Sequence, residues 1–166
     1  MSRLELALNE IKTARNYTRR LLEDLAPGDW FRQPSEGVTH IAWQVGHLAM
    51  AEYRLALDRI RGERPDDAAL ISPQFLQKFA KGSVPLASAK DYPAPEEIIA
   101  VFHRVHEQTL AETPYVADAE LDRPPEKPHP LFTRKIDSLF WCARHEAIHA
   151  GQIGLLRRLL GKAPQW

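Results

Sequence analysis

A chain of 166 residues with 44% hydrophobic and 27% charged residues has the length and composition of one globular domain with a buried core, and we expect residues 1–166 to form it. The 22 Lys and Arg residues balance the 22 Asp and Glu residues, so no overall positive charge would attract a polyanion, and we expect no nucleic-acid partner. A single cysteine, Cys142, excludes an internal disulfide, and no apolar run approaches the roughly 20 residues of a membrane helix, so we expect a cytoplasmic protein without a membrane partner.

The first part of the chain predicts two long amphipathic helices. The first begins at Ser2, whose hydroxyl can form a capping box with Glu5, and its apolar stripe continues until the Pro27-Gly28 turn. The second spans about residues 39–61, and Gly62 is a plausible stop because glycine adopts the backbone conformation that ends helices. Both helices carry one apolar face, which predicts that they pack against other helices.

Helical periodicity returns after a long connection. Residues 62–94 are rich in turn-forming residues, interrupted by a short helix led by Ser72-Pro73. A third helix is predicted over 95–112 and a fourth over 133–160, stopped by Gly161. Four long helices without an alternating β pattern predict an all-α four-helix bundle. The connection between the second and third helices is longer than antiparallel neighbours need, so these helices could run in the same direction.

Two histidines one helical turn apart form the densest chemical signal. His145 and His149 occupy positions i and i+4, so both imidazoles can reach one point and hold a divalent cation such as zinc, nickel or iron. The alternative is two unrelated histidines that share a face. The segment also satisfies H-E-x-x-H, the zinc-protease motif with Glu146 as general base. No His, Asp, Glu or Cys follows His149 to complete a protease site, so we expect Glu146 to be solvated or to support the ligands from behind.

A third ligand would have to come from upstream, where five histidines compete. His47 is flanked by small and apolar residues, and a buried imidazole needs a partner, either a metal or a hydrogen bond. His40 lies too far along the helix to share an ion with His47, so we expect it at the mouth of the site or in solvent. We expect His103 and His106 on a wet surface and His129 in an exposed loop, although that loop can fold over a site.

A fourth ligand could come from Cys142, which precedes His145 by about one turn and shares its face. A free cysteine more often serves as a small buried hydrophobe. If the thiolate binds, four protein ligands close the coordination shell and the metal is a structural clamp. If it does not, a position stays open for water or substrate, as in a catalytic site.

Two motifs in these helices resemble a known family. The second helix contains T-x-x-x-x-Q-x-x-H-L-x-x-x-E-x-R and the fourth contains H-x-x-x-H-x-G-Q-I, as in the DinB-like (DinB/YfiT) superfamily of bacterial metal-binding bundles. The resemblance spans the chain in length and helix order. It implies an up-down-down-up four-helix bundle and three metal ligands, His47, His145 and His149. Gly151-Gln152 match the family's G-Q, whereas the preceding residue, commonly Arg in the family, is Ala150 here, so no role is carried over for that arginine.

The resemblance also implies a function. Relatives include transferases and isomerases that depend on low-molecular-weight thiols, and they often pair. We therefore expect a homodimeric, metal-dependent transferase or hydrolase that acts on a small molecule, with Gln152 and Glu146 as candidates for orienting ligands or water. The competing hypothesis is a non-catalytic module in which the metal staples the second and fourth helices. An open coordination position facing a pocket would favour catalysis.

Overall fold

Long α-helices joined by turns and short helices make up the computed structural model, which describes residues 1–165. In chain order the helices are α1 (Arg3–Leu22), α2 (Ile41–Glu52), α3 (Arg59–Arg61), α4 (Asp67–Leu70), α5 (Pro73–Lys78), α6 (Pro95–Glu112), α7 (Asp118–Leu121) and α8 (Lys135–Leu159). The part of the chain that is described contains no β-strand, which confirms the all-α prediction. Across residues 1–165, no helix combines the length and apolar character needed to cross a bilayer.

Local sequence signals account for the helix ends. The capping box at the start of α1 is confirmed: the backbone N–H of Glu5 donates to the Ser2 hydroxyl at 3.1 Å, and the Ser2 N–H donates to the Glu5 carboxylate at 2.6 Å. Ser72 caps α5 through its side chain, as predicted. Gly62 and Gly161 end α3 and α8 with φ of 80° and 83°, where a side chain would be strained.

The second long helix is interrupted by a π-helical segment, Tyr53–Asp58, which lies between α2 and α3. The backbone N–H of Arg59 reaches back to the carbonyl of Arg54, five residues earlier. The segment therefore holds one residue more than an α-helix would over the same turn, and it changes which side chains face the bundle beyond it. The predicted helical span of 39–61 is confirmed in extent, but the periodicity did not indicate this change of register.

The long helices pack pairwise into a bundle. The longest interface joins α1 to α8, and α2 lies against both α6 and α8. We call the connection between α3 and α6, residues 62–94, the crossover. It folds back onto α2, and its Phe75 and Phe79 rings are buried there. The crossover therefore supplies part of the surroundings of α2 as well as linking two helices.

A charged cluster is buried where α1, α2, α6 and α8 meet. The Arg15 guanidinium donates to Glu146 at 2.8 Å, to Glu52 at 2.5 Å and to the carbonyl of Phe102 at 2.6 Å. His106 adds a contact of 2.9 Å between its Nδ1 and the other oxygen of Glu52. These contacts compensate the charges that burial removes from water. The expectation that His106 lies on a wet surface is wrong, because this half-buried ring bonds a buried carboxylate.

Candidate metal centre

Three histidines from two helices converge at one point of the bundle. His47 on α2 and His145 and His149 on α8 each offer a ring nitrogen, and these nitrogens all lie within 4.8 Å of one another. The ring centroid of His47 is 5.3 Å from that of His145 and 4.7 Å from that of His149, and the two α8 rings are 4.5 Å apart. We refer to these residues as the three-histidine cluster. Their donor type and closeness fit a divalent metal of the zinc, nickel or iron kind.

Hydrogen bonds orient two of these rings. Nδ1 of His47 donates to the backbone carbonyl of Phe79 at 2.8 Å, and Nδ1 of His149 donates to the side-chain oxygen of Gln44 at 2.5 Å. Since both partners are acceptors, the proton of each ring sits on Nδ1 and the lone pair of Nε2 is left available. Metal-binding histidines are commonly fixed in this way by a carbonyl or amide oxygen behind the ring.

A glycine brings the Phe79 carbonyl within reach of His47. Gly46 lies under the Phe79 ring, and a Cβ atom at this position would overlap the ring carbons. The residue that approaches Gly46 so closely ends α5 in the crossover. The ring of Trp43 stacks on the His47 ring, with centroids 4.7 Å apart and planes 12° apart. The Trp43 ring and the Phe79 carbonyl therefore both fix the orientation of His47.

The cluster is neutral at physiological pH. Burial and, to a smaller extent, the neighbouring imidazoles lower the pKa of His145 to about 4 and that of His149 to about 3. Burial also lowers the pKa of His47, against the opposing effect of its bond to Phe79. A metal binds the neutral form of imidazole, so no proton has to leave these rings before they can serve as ligands.

Cys142 lies apart from the three-histidine cluster. It is buried and lies near the charged cluster of Arg15, Glu52 and Glu146. Burial raises the pKa of its thiol well above the ordinary value, and the two carboxylates raise it further. A neutral thiol in this position serves as a small hydrophobe, the more common of its two predicted roles.

The other histidines lie outside the three-histidine cluster. His40 is fully buried and caps α2: its Nδ1 accepts from the N–H of Trp43 at 3.1 Å, and its Nε2 bonds the carbonyl of Leu86 at 3.1 Å. The expectation that it covers the site or faces solvent is therefore wrong. His129 is half-buried, stacks on Phe132, and lines the pocket beside the cluster, so its loop does fold over the site. His103 is half-buried on α6.

The residues that orient the histidines differ in part from those that were expected to do so. Glu146 was expected to be solvated or to support the ligands, but it is 2% exposed and bonds Arg15 through both oxygens. Its position on α8 turns it towards α1, whereas His145 and His149 turn towards α2. Gln152 is exposed and lies beside His149, and its side chain opposes the lowering of the pKa of that ring. Gln44, which holds His149 at 2.5 Å, was missed although its spacing of three from His47 places both on one helix face.

A pocket of about 470 Å³ opens beside the three-histidine cluster. The cluster itself, both helices and the crossover contribute to its walls. Its lining residues are Trp43, His47, Met50, Ala51, Arg54, Leu55, Arg59, Lys81, Gly82, His129, Pro130, Leu131, Trp141, His145 and His149. Because the pocket reaches the histidines, a small molecule can enter as far as any ion that they hold.

The fold and the cluster agree with a comparison against known protein families. Residues 10–153 match the family model of the DinB superfamily, and the match includes all three histidines of the cluster. A comparison with curated proteins found no match. Since the family model covers most of the chain, the resemblance inferred from the two motifs is confirmed, and the chain belongs to the DinB superfamily.

Proposed function

We propose that this protein is a divalent-metal-dependent enzyme, a transferase or hydrolase that acts on a small molecule and takes a low-molecular-weight thiol as co-substrate. His47, His145 and His149 would hold the metal, which is zinc, nickel or iron. The observation that carries the proposal is the pocket of about 470 Å³ that reaches the three-histidine cluster. A metal that only stapled α2 to α8 would have no need of such an opening.

The charge of the ligand set also supports an enzyme. Three neutral imidazoles leave both positive charges of a divalent ion uncompensated and leave its coordination incomplete. A metal held this way supplies Lewis acidity, which lowers the pKa of a water or thiol that takes the vacant position. Cys142 is buried elsewhere with a raised pKa, so it does not compete for that position.

The chain's own residues would prepare this site in two ways. Gln44 and the Phe79 carbonyl fix the rings of His149 and His47, so the nitrogens point to one place before a metal arrives. The indole rings of Trp43 and Trp141 and the loop that carries His129 cover the pocket walls and exclude water from around the reacting atoms.

Elemental analysis of the tag-free protein tests the proposal first. We expect about one equivalent of zinc, nickel or iron for each chain. After replacement by Co²⁺, we expect 2-mercaptoethanol or cysteine to produce a thiolate-to-cobalt charge-transfer absorption, because an open position admits sulfur. Metal that is present but insensitive to every added thiol would support the stapling role instead. Protein that binds no metal would contradict both.

We also propose that the protein forms a homodimer through α8. Ile148, Leu155 and Leu159 are each at least half exposed, and their spacings of seven and four residues place them on one side of the helix. Gly151 lies between Ile148 and Leu155 on this side and has open space around it, so a second helix can approach closely. Light scattering should give twice the chain mass, and Leu155→Glu should give the monomer. A wild-type monomer at high concentration would contradict the proposal.

For the four long helices we propose the up-down-down-up order. The packing of α1 on α8 and of α2 on both α6 and α8 is compatible with it. In this order α2 and α6 run in the same direction, which the length of the crossover allows. An experimental structure in which α2 and α6 run antiparallel would contradict the order.

A further inference from the structure

Three cationic side chains line the pocket beside the three-histidine cluster. Arg54, Arg59 and Lys81 line it, and no acidic residue is among the described residues that do so. Arg54 and Arg59 come from the π-helical segment and from α3, whereas Lys81 comes from the crossover. Two separate parts of the chain therefore place cations around one cavity. We call these three residues the cationic wall.

The cations of this wall have no anionic partner of their own. Within residues 1–165, the guanidinium of Arg54 makes no hydrogen bond or ion pair, and neither does the ammonium of Lys81. Arg59 donates to the carbonyl of Arg54 at 3.2 Å, and its Nε is buried without a partner. The carboxylate next to it in sequence, Asp58, pairs instead with Lys127 at 3.0 Å.

Holding these charges together is unfavourable. Burial lowers the pKa of Arg59; the neighbouring Asp58 opposes this effect, and the charge of Arg54 adds to it. Most other arginines of the chain that are at least half-buried have carboxylate partners, as Arg15, Arg61 and Arg157 do. An anion that enters the cavity would offset the repulsion between these cations. It would also accept charge-assisted hydrogen bonds, and a bidentate contact with arginine is among the stronger hydrogen bonds in proteins.

The rest of the pocket is apolar and aromatic. Met50 and Leu55 line it together with the rings of Trp43 and Trp141. A ligand that matches both surfaces has an apolar or aromatic body and an oxyanion at one end. The pocket also limits size, since about 470 Å³ admits a small organic acid but not a folded partner.

We propose that Arg54, Arg59 and Lys81 form an oxyanion-binding subsite that makes the pocket selective for a small molecule bearing a carboxylate or phosphate. The subsite would determine specificity by holding the anionic end while the body of the ligand lies over the tryptophans towards the histidines. This inference rests on the proposed function for its meaning, since it names the substrate class of the same pocket. Binding of an anion by these three cations does not require the metal.

The test uses paired ligands that differ in charge. We would titrate the full-length protein, as purified and after metal removal, with 3-phenylpropionate and with its neutral counterpart 3-phenyl-1-propanol. Binding would be followed through the NMR signals of the Trp43 and Trp141 indole N–H groups. Phenyl phosphate serves as a third ligand that distinguishes phosphate from carboxylate as the preferred oxyanion.

We expect the acid to bind at least about tenfold more tightly than the alcohol, with or without metal, because charge-assisted hydrogen bonds are worth at least that factor. Arg59→Gln should abolish most of this preference, and Lys81→Gln should reduce it without risk to the fold, since Lys81 is exposed in a turn. Lys90→Gln, which removes an exposed lysine outside the pocket, is the matched control and should change nothing.

Equal affinity for acid and alcohol would overturn the oxyanion subsite, as would an unchanged preference in both Arg59→Gln and Lys81→Gln. Neither result would affect metal content or thiol binding, on which the proposed function depends. Conversely, a protein that takes up no metal would still show the preference in the metal-free titration, so each proposal can fail without the other.

Discussion

His149→Ala should remove most of the bound metal, whereas Cys142→Ser should leave it in place. His149 is one of three ring nitrogens available to the ion, and its loss also leaves the Gln44 oxygen without the proton that it accepts. Since removal of a group behind a metal ligand already costs about 10- to 100-fold in affinity, we expect a loss of more than about 100-fold here. The metal content of both variants would be measured after dialysis, by elemental analysis and by competition with a chelator.

The serine variant is the matched control because it changes a possible ligand that lies one turn from His145. Its hydroxyl replaces a neutral buried thiol of similar size, so the fold should persist. His47→Ala should behave like the alanine variant at position 149, because the two rings approach the same point from different helices. Metal loss in the serine variant, combined with retention in the alanine variant, would overturn the ligand set.

Arg15→Met should reduce the free energy of unfolding by about 3–5 kcal/mol at pH 7. The side chain is fully buried, and its loss would remove the guanidinium that donates to the buried carboxylates of both Glu52 and Glu146. Breaking a buried ion pair from one side typically costs this much, since an uncompensated charge remains in the interior. Urea unfolding followed by circular dichroism gives the value. Arg19→Met, an exposed arginine one turn further along α1, should change it by less than about 0.5 kcal/mol.

The effect of Arg15→Met should depend on pH. Burial opposes ionisation of Glu52, but the charge of Arg15 and the bond from His106 outweigh it, so the pKa of Glu52 lies below its ordinary value of 4.5. A carboxylate with a lowered pKa contributes stability that is fully present above the ordinary value and is lost as the pH falls towards the folded-state value. In the variant, Arg15 no longer outweighs the burial of Glu52, so the pKa of Glu52 should lie above its ordinary value. The difference between wild type and variant should therefore begin to narrow above pH 4.5 and continue to narrow below it. A constant difference down to pH 3 would show that lost packing, not lost charge, causes the destabilisation.

The extent of the helices could be predicted because it depends on local signals. Apolar spacing, the Ser2 capping box and the stops at Gly62 and Gly161 all act within a few residues of the position they determine. The pair on α8 follows from the same local geometry, since histidines four residues apart must share a face. The position of His47 opposite them required the family motif as well, because no local rule orients α2 against α8.

What could not be predicted depends on contacts between distant segments. Arg15 lies four residues after Ile11 and three before Thr18, so its spacing does place it on the buried stripe. A charge there is tolerated only because carboxylates from α2 and α8 arrive at the same point, and nothing within α1 reveals that. The Phe79 carbonyl is a similar case, since any residue has a carbonyl and only the folded crossover shows which one meets His47.

The π-helical segment Tyr53–Asp58 separates two kinds of residue along one helix. His47 and Gln44 lie before it, whereas Arg59 lies after it. A π-helical turn holds one residue more than an α-helical turn. Deletion of that residue would rotate the side chains beyond the segment by about 100° around the helix axis and leave the side chains before it in place. In descendants of this chain, a one-residue deletion here would turn the Arg59 side chain to a different direction without disturbing His47. The cationic wall and the three-histidine cluster can thus change independently of each other.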